Sequence, residues 1–586
     1  MKGRDSAGDL DRRRISNRVL GLPSVRADTT TLARRAGITE TAARARLGRQ
    51  LRGLVATRRA WAASALSLLL GPLHRSVWRL RIDEAGLERL RALGTRHPLV
   101  FLPAHRSYTD SPLLAAALRI AGVAEPFRLA GDNLSFWPIG WLARRSGTIY
   151  IRRDFGQDRS YQLAVRSYLA QLLRQGTSLE WYAEAGRSRT GRLRRPRHGL
   201  LRQLVQAFSE SGIDDLYVVP VSITYEILPE AVLLAEEDCG GHKRPEGLAW
   251  LMAYRRTNQT ARGTVARVTF GEPFSLREQA EAVSDQNGWG LVRSVAGELG
   301  VRLNEATPVT PESLLALLLS GGDHGPRTVA QICAALEPVL NFVGLRGIPL
   351  TDRSRLTGTR EVRAVLDRLV GAGVLTSTTI GSPERRYVIE PEQHHLATFY
   401  AQSGAHWFVM RAIAELATIL APTPDEITAS GRRLRTLLER AYVFPGPDRF
   451  DSDLAREVDD LTHPAGRHFV IAHRVLGPAL EAVLRVAERL ERTGPERKPD
   501  RRALTQALPT AQDGEPRRWP ASASRDLVHA ALAVAAGEGL LETGPGAQRA
   551  RAAFAAELAR HVSLLADVGV LGASPARMPI PEEERR

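Results

Sequence analysis

Cysteine is nearly missing from this chain: 586 residues carry two, Cys239 and Cys333. That excludes a disulfide-stapled scaffold and fits a reducing compartment. Long apolar runs are missing too, since nothing approaches the ~20 consecutive apolar residues a membrane-spanning helix requires. The nearest is "AWAASALSLLLGPL" (60–73), which ends in Gly71-Pro72, and "SLLALLLSGG" from Ser313 is shorter. Both read as core helices. The first, with Arg58, Arg59 and Trp61 at its edge, also suits a membrane interface. The N-terminus "MKGRDSAGDLDRRR" lacks the apolar stretch of a signal peptide, so export is not expected. There is no Walker loop, dinucleotide fingerprint, HExxH or paired CxxC. Cys239 with His242, and His394-His395, lack the companions of a zinc site, so no metal is expected.

Aromatic residues are sparse at 6%, whereas arginine is abundant and the net charge is +17. A balance this basic attracts nucleic acid, an anionic membrane face or phosphorylated substrates, and equally describes a solvated Arg-rich surface. At this length about two to four domains are expected. Residues 1–95 read as helical, with apolar residues at helical spacing in "TLARRAGITETAARARLGRQLRGLV". From 96 to 320 the texture is α/β. Strands are expected at 99–104, 147–153, 178–184, 216–226 and 266–272, with helices over 160–176 and 200–212 between them. The fold expected is therefore an α/β sheet-and-helix core, flanked by this helical N-terminus and a mostly α-helical region over 321–586. Within the latter, 360–390 reads as a helix and a hairpin turning near Gly381-Ser382-Pro383, the pattern of a winged helix. A Pro- and charge-rich stretch, 491–525, reads as a flexible linker, and a last helix is expected over roughly 524–571.

Four stretches carry candidate chemistry. In "FLPAHRSYTDSPLL" (101–114), His105 follows a strand at the end where α/β sheets place ligands, and Asp110 precedes a helix. On a continuous helix the two side chains would point about 140° apart. A tight turn would instead fold Asp110 under the imidazole, so that it fixes the tautomer and leaves the other nitrogen to take a proton. Taken alone, Asp110 as a plain helix cap is the commoner role. "GTIYIRRDF" ends a strand with Arg152-Arg153, two guanidiniums suited to phosphate or to a surface pair. "WYAEAGRSRTGRLRRPRH" (181–198) places six arginines in 187–198 beside Gly186 and Ser188, a set fitted to a phosphate or to anionic lipid or RNA. "VVPVSITYE" puts Pro220 inside a strand, which marks an edge or a close backbone approach.

Together and in order, "PAHRSYTD", "IRRDF", "EAGRSRTGR" and "VPVSITYE" resemble the four blocks of the HxxxxD acyltransferase superfamily. The runs 129–155 and 400–417 are most similar to the bacterial membrane-associated glycerol-3-phosphate 1-O-acyltransferases. The resemblance implies transfer of a fatty acyl group from acyl-CoA or acyl-ACP to the sn-1 hydroxyl of glycerol 3-phosphate, giving lysophosphatidate. It makes His105 the general base and Asp110 its orienting partner. Arg152, Arg153, Glu184, Gly186, Arg187, Ser188 and Arg189 become the glycerol-phosphate site. Pro220 falls near the acyl-donor side, and Lys243 matches a basic position. No cofactor is implied beyond the acyl donor as co-substrate. Two residues depart from the pattern: Ala185 where a second glycine or a small residue is usual, and Asp154 after the arginines. The acceptor, donor, product and cytoplasmic leaflet are all anionic, which gives the +17 charge a use and implies a peripheral or monotopic protein on the inner face of the cell membrane. Alternatives are the same chemistry on dihydroxyacetone phosphate or a lysophospholipid and, from another class, a basic nucleic-acid-binding protein. With the acyltransferase blocks present, no nucleic-acid partner is expected.

Overall fold

The computed structural model describes residues 5–74, 78–135, 137, 139–152, 156, 158–241, 263–283, 288–321, 325–379, 384–462, 469–494, 498–507 and 517–571. The chain divides into two compact units. The first comprises residues 1–187, 195–223 and 244–306, and the second 188–194, 224–243 and 307–586.

The first unit is built on one sheet in the order β1-β7-β6-β2-β5-β3-β4. Its strands are β1 (Trp78–Ile82), β2 (Leu99–Pro103), β3 (Phe127–Gly131), β4 (Thr148–Ile151), β5 (Leu179–Glu180), β6 (Tyr217–Tyr225) and β7 (Thr264–Phe270). The ladders β1–β7, β6–β2, β2–β5, β5–β3 and β3–β4 are all parallel. β8 (Phe274–Ser275) runs antiparallel against β6. Composition explains the order. The central β2, "LVFLP", is buried at every position, as a parallel strand covered on both faces must be. The edge strand β1, "WRLRI", alternates apolar and charged residues. The helices Arg159–Arg174 and His198–Ser211 are closed by Gly176 (φ +66°) and Gly212 (φ +69°), left-handed positions that glycine occupies without steric cost.

Several elements differ from the sequence reading. β1 and β3 were not expected, being short and interrupted by arginine. The strand expected over 178–184 is two residues long, because its carboxyl half turns out of the sheet. Pro220 lies on β6, between β7 and β2, so of the two alternatives, an edge or a close backbone approach, the edge is excluded. Its carbonyl accepts from Gly271 N (2.8 Å), just past the end of β7.

The second unit is mainly helical. Its small sheet, β10 (Thr376–Thr378), β11 (Arg386–Val388) and β9 (Arg327–Thr328), is antiparallel in the order β10-β11-β9. With the helices Val329–Leu345 and Thr359–Gly371 between β9 and β10, this is the strand and helix order of a winged helix. The hairpin turn at 381–383 lies outside the described residues. Arginines of this segment are engaged internally: Arg355 bridges Glu226 (2.7 Å) and Glu312 (2.5 Å), and Arg368 binds Glu226 (3.0 Å). Within the stretch expected to be a linker, Arg501–Ala507 is helical and Trp519 is buried. A Cβ added to Gly477 would lie 2.3 Å from the Trp519 ring, which is why the chain has no side chain there. The single last helix expected is two, Arg525–Gly537 and Pro545–Leu571.

Candidate active site

Because β6, β2, β5, β3 and β4 run parallel, their carboxyl ends fall on one edge. His105 stands two residues beyond β2 and Arg152 directly after β4, while Trp181–Glu184 leave β5 between them.

The turn after β2 decides what His105 and Asp110 are. Asp110 is the first residue of the helix Asp110–Ile120, with Thr109 at the cap position. The helix axis therefore does not carry both side chains, and the turn folds the carboxylate back. Asp110 Oδ2 lies 3.0 Å from His105 Nδ1 and accepts from the backbone N–H of Arg106 (2.7 Å) and Ser107 (2.8 Å). The Ser107 and Thr109 hydroxyls are 2.8 Å apart and brace the same turn. Asp110 is fully buried, whereas the His105 side chain is 19% exposed. An oxygen already taking two backbone N–H bonds acts as acceptor, so it calls for the Nδ1–H tautomer and leaves Nε2 as the basic nitrogen.

Further contacts immobilise the histidine. Glu184, itself buried, accepts the His105 backbone N–H at 2.7 Å. The imidazole stacks on Tyr182, ring centroids 4.0 Å apart and planes 27° from parallel. Burial, reinforced by the carboxylates of Glu180 and Asp110, pushes the Tyr182 phenol well above its ordinary pKa, so the stacking surface is neutral. Glu180 is buried beside Arg128 (3.3 Å). Burial raises its carboxyl, and the arginine opposes that shift.

Arg187 reaches the same turn. Its guanidinium lies 3.8 Å from the Tyr108 ring centroid and donates to the Tyr108 hydroxyl at 2.9 Å. The loop leading to it is held by Ala185 at φ +54°, the left-handed region where a Cβ costs roughly 1–2 kcal/mol. Ala185 occupies the position where a second glycine or a small residue is usual, and Gly186 beside it does not have positive φ. Strain is thus stored between Glu184 and Arg187.

Arg152 stands apart, three strands from His105 along the order β2-β5-β3-β4. It pairs with Asp158 (3.3 Å) and stacks on Tyr161 (4.6 Å). Arg153, Asp154 and Lys243 lie outside the described residues. Ser188 and Arg189 belong to the second unit. There Ser188 is buried, with no hydrogen-bond partner for its hydroxyl among the described residues, and Arg189 pairs with Glu237 (3.1 Å). Arg189 also lines, with Asp238 and His395, an internal cavity of about 20 Å³, room for one water.

The contributions of Tyr182, Tyr108 and the Glu184 carboxylate escaped sequence reasoning as geometry. Nothing local in "EWYAEAG" says that its glutamate will cap the backbone of a histidine 79 residues away.

A histidine held by a buried carboxylate at the carboxyl edge of parallel strands is an arrangement that can deprotonate an alcohol. Comparison with known proteins narrows the class. Residues 81–224 match the acyltransferase family, and residues 235–513 match the glycerol-3-phosphate acyltransferase C-terminal region. Proteins of Mycobacterium tuberculosis (strain H37Rv) and Mycobacterium bovis, which carry the provisional name acyltransferase plsB1, are each 32% identical over 532 residues, covering 84% of this chain and 85% of theirs. The chain belongs to the glycerol-3-phosphate acyltransferase family, and it is an acyltransferase. The crystal structure of the 1-acyl-sn-glycerophosphate (LPA) acyltransferase PlsC from Thermotoga maritima aligns over 40% of this chain and 78% of that one, at 19% identity. Its TM-score of 0.24 is too low to bear on the fold.

Proposed function

We propose that the protein transfers a fatty acyl group from a thioester donor, acyl-CoA or acyl-ACP, to the sn-1 hydroxyl of glycerol 3-phosphate, giving lysophosphatidate. The observation that carries this reading is the 3.0 Å contact between His105 Nδ1 and the buried Asp110 carboxylate, which leaves Nε2 open to an alcohol. Nε2 takes the hydroxyl proton as the oxygen attacks the thioester carbonyl. The C–S bond then breaks, and the imidazolium returns the proton to the departing thiolate. Asp110 stabilises the imidazolium between these steps. Arg187, held against Tyr108 on the same turn, receives the acceptor's phosphate in this reading, a role that rests on the sequence resemblance. Assignment of Arg153, Ser188, Arg189 and Lys243 to this site rests on the sequence resemblance. Glu184 serves by positioning the His105 backbone.

We place the enzyme at the inner face of the cell membrane. No helix among the described residues is long and apolar enough to cross a bilayer. Trp61, Leu68 and Leu69 on the helix Ala60–His74 are exposed, as are Trp137 and Trp141, and the Trp61 and Trp141 rings are 5.6 Å apart. Exposed tryptophan and leucine beside arginine suit a headgroup interface.

The test is transfer of labelled palmitate from palmitoyl-CoA to glycerol 3-phosphate, with dihydroxyacetone phosphate and a lysophospholipid as competing acceptors. Wild type is expected to prefer glycerol 3-phosphate, and His105→Ala to lose roughly 10²–10⁴-fold in kcat. Activity retained in His105→Ala would overturn the mechanism.

A further inference from the structure

The carboxyl edge of the sheet holds a second cationic site, away from His105. Between the helix Glu40–Leu54 and the ends of β3 and β4 lies an open pocket of about 460 Å³. Arg46, Arg49, Arg144 and Arg152 line it, with the phenols of Tyr150 and Tyr161. Two carboxylates, Asp132 and Asp158, face these four guanidiniums.

The charge is unevenly balanced. Asp158 takes both Arg46 (3.1 Å) and Arg152 (3.3 Å), accepts from Gln50 (3.3 Å) and caps the following helix through Tyr161 N (3.1 Å). Arg49 is exposed and has no carboxylate partner among the described residues. Arg144 donates to the Gly53 carbonyl and stacks on Tyr150 (5.2 Å), contacts that leave its charge uncompensated. Burial lowers the Arg144 pKa, with Arg12 and Arg145 pushing the same way and the Tyr150 and Tyr168 phenols opposing. Planar guanidinium forks and phenolic hydroxyls around such a space match the oxygens of a phosphate ester.

Distance selects which phosphate. From β2 to β4 there are three strand steps, and at roughly 4.8 Å each the pocket lies about 14 Å from the base along the sheet edge. In glycerol 3-phosphate only a three-carbon chain and an ester oxygen separate the sn-1 hydroxyl from phosphorus, too short to reach. The acyl donors differ. In acyl-CoA and acyl-ACP alike, the thioester sits at one end of an extended pantetheine arm and a phosphate at the other.

We propose that Arg46, Arg49, Arg144 and Arg152 form a binding site for the phosphate of the acyl donor's pantetheine arm, with Tyr150 and Tyr161 in its wall. The N-terminal helix Glu40–Leu54 thereby takes part in donor recognition, and Arg152 serves the donor rather than the acceptor. This assignment rests on the thioester reaction at His105.

The test separates the two. CoA binding is measured by titration calorimetry on the full chain carrying His105→Ala, with and without Arg49→Gln, so the pocket is read without turnover. KM for palmitoyl-CoA, palmitoyl-ACP and glycerol 3-phosphate is measured in the otherwise wild-type enzyme. Losing one charge-assisted contact, Arg49→Gln is expected to weaken CoA binding and raise the donor KM roughly tenfold, with the acceptor KM within about twofold. Asp132→Asn, which removes a repelling carboxylate, is expected to tighten CoA binding. A rise with both donors assigns the pocket to the shared pantetheine phosphate, and a rise with CoA alone to the nucleotide end of that donor. A raised glycerol 3-phosphate KM with unchanged donor KM, a rise with acyl-ACP alone, or no change in either would overturn the proposal. If wild type fails to acylate glycerol 3-phosphate while CoA binding still depends on Arg49, the reading of the reaction fails and the pocket stands.

Discussion

Asp110 in the sheet unit and Glu415 in the helical unit are held in nearly the same way and do different things. Each is fully buried. Each has one oxygen that accepts two consecutive backbone N–H groups: Arg106 and Ser107 for Asp110, Ile471 (2.9 Å) and Ala472 (2.8 Å) for Glu415. The difference is the third partner. Asp110 holds a histidine that is 19% exposed, a group able to exchange a proton with something outside. Glu415 holds Arg411 at 3.0 Å, a cation that is 1% exposed and cannot be deprotonated. Burial raises the Glu415 carboxyl, opposed by Arg411 and the two backbone donors. A buried carboxylate anchored to a turn is therefore not a site by itself. It becomes one when it orients a titratable group that reaches solvent.

The sharpest way to break this comparison is to neutralise each carboxylate in place. Asp110→Asn keeps the shape, the backbone contacts and an acceptor for His105 Nδ1–H but removes the negative charge that stabilises the imidazolium, and kcat is expected to fall about 10²–10⁴-fold. Its melting temperature should change far less than its activity. Glu415→Gln does the reverse. It takes the carboxylate away from a buried cation, which costs about 3–5 kcal/mol of stability in chemical denaturation, with kcat per folded molecule retained. A Glu415→Gln variant that unfolds normally but has lost catalysis would show that the two anchors are not distinct in kind.

A smaller effect concerns His473 in the helical unit. It is buried, neither ring nitrogen has a partner among the described residues, and burial followed by Arg474 and Arg327 holds its pKa well below the usual value. In the unfolded chain a histidine takes up a proton near pH 6.5. Below that pH the unfolded state binds more protons than the native one, so stability falls as pH drops. The slope is up to about 1.4 kcal/mol per pH unit for this one group. His473→Leu should flatten that dependence in denaturation curves between roughly pH 6.5 and 5. The smallest effect expected is from Ala185→Gly, which relieves a left-handed alanine and should add about 1 kcal/mol to stability by thermal melting. A destabilised Ala185→Gly would mean that the loop relies on the stiffness of that alanine.

Much of the sheet was legible because fully buried parallel strands are continuous apolar runs, as in β2 and β6. β1 and β3 were not, since edge or short strands carrying arginine lose that signature. The helical C-terminal region was legible in kind, but the buried Trp519 within a polar, proline-rich stretch was not. Its burial comes from packing on Gly477, distant in sequence. In the site, residue types and their order were visible, and Ala185 stood out as a departure before its φ was known.

By itself the sequence determined the chemistry available: a histidine and an acid five residues apart after a strand, arginines and a glycine-containing loop after later strands, and a surplus of positive charge. Those are local properties, set by side-chain type and spacing. Only the tertiary structure decided that the turn folds Asp110 to 3.0 Å from His105, that Glu184 caps the histidine's backbone, and that Arg187 and Arg152 stand at different distances from it. Strand order sets those distances, and strand order follows from which faces and edges bury best against one another, a property no short stretch of chain contains.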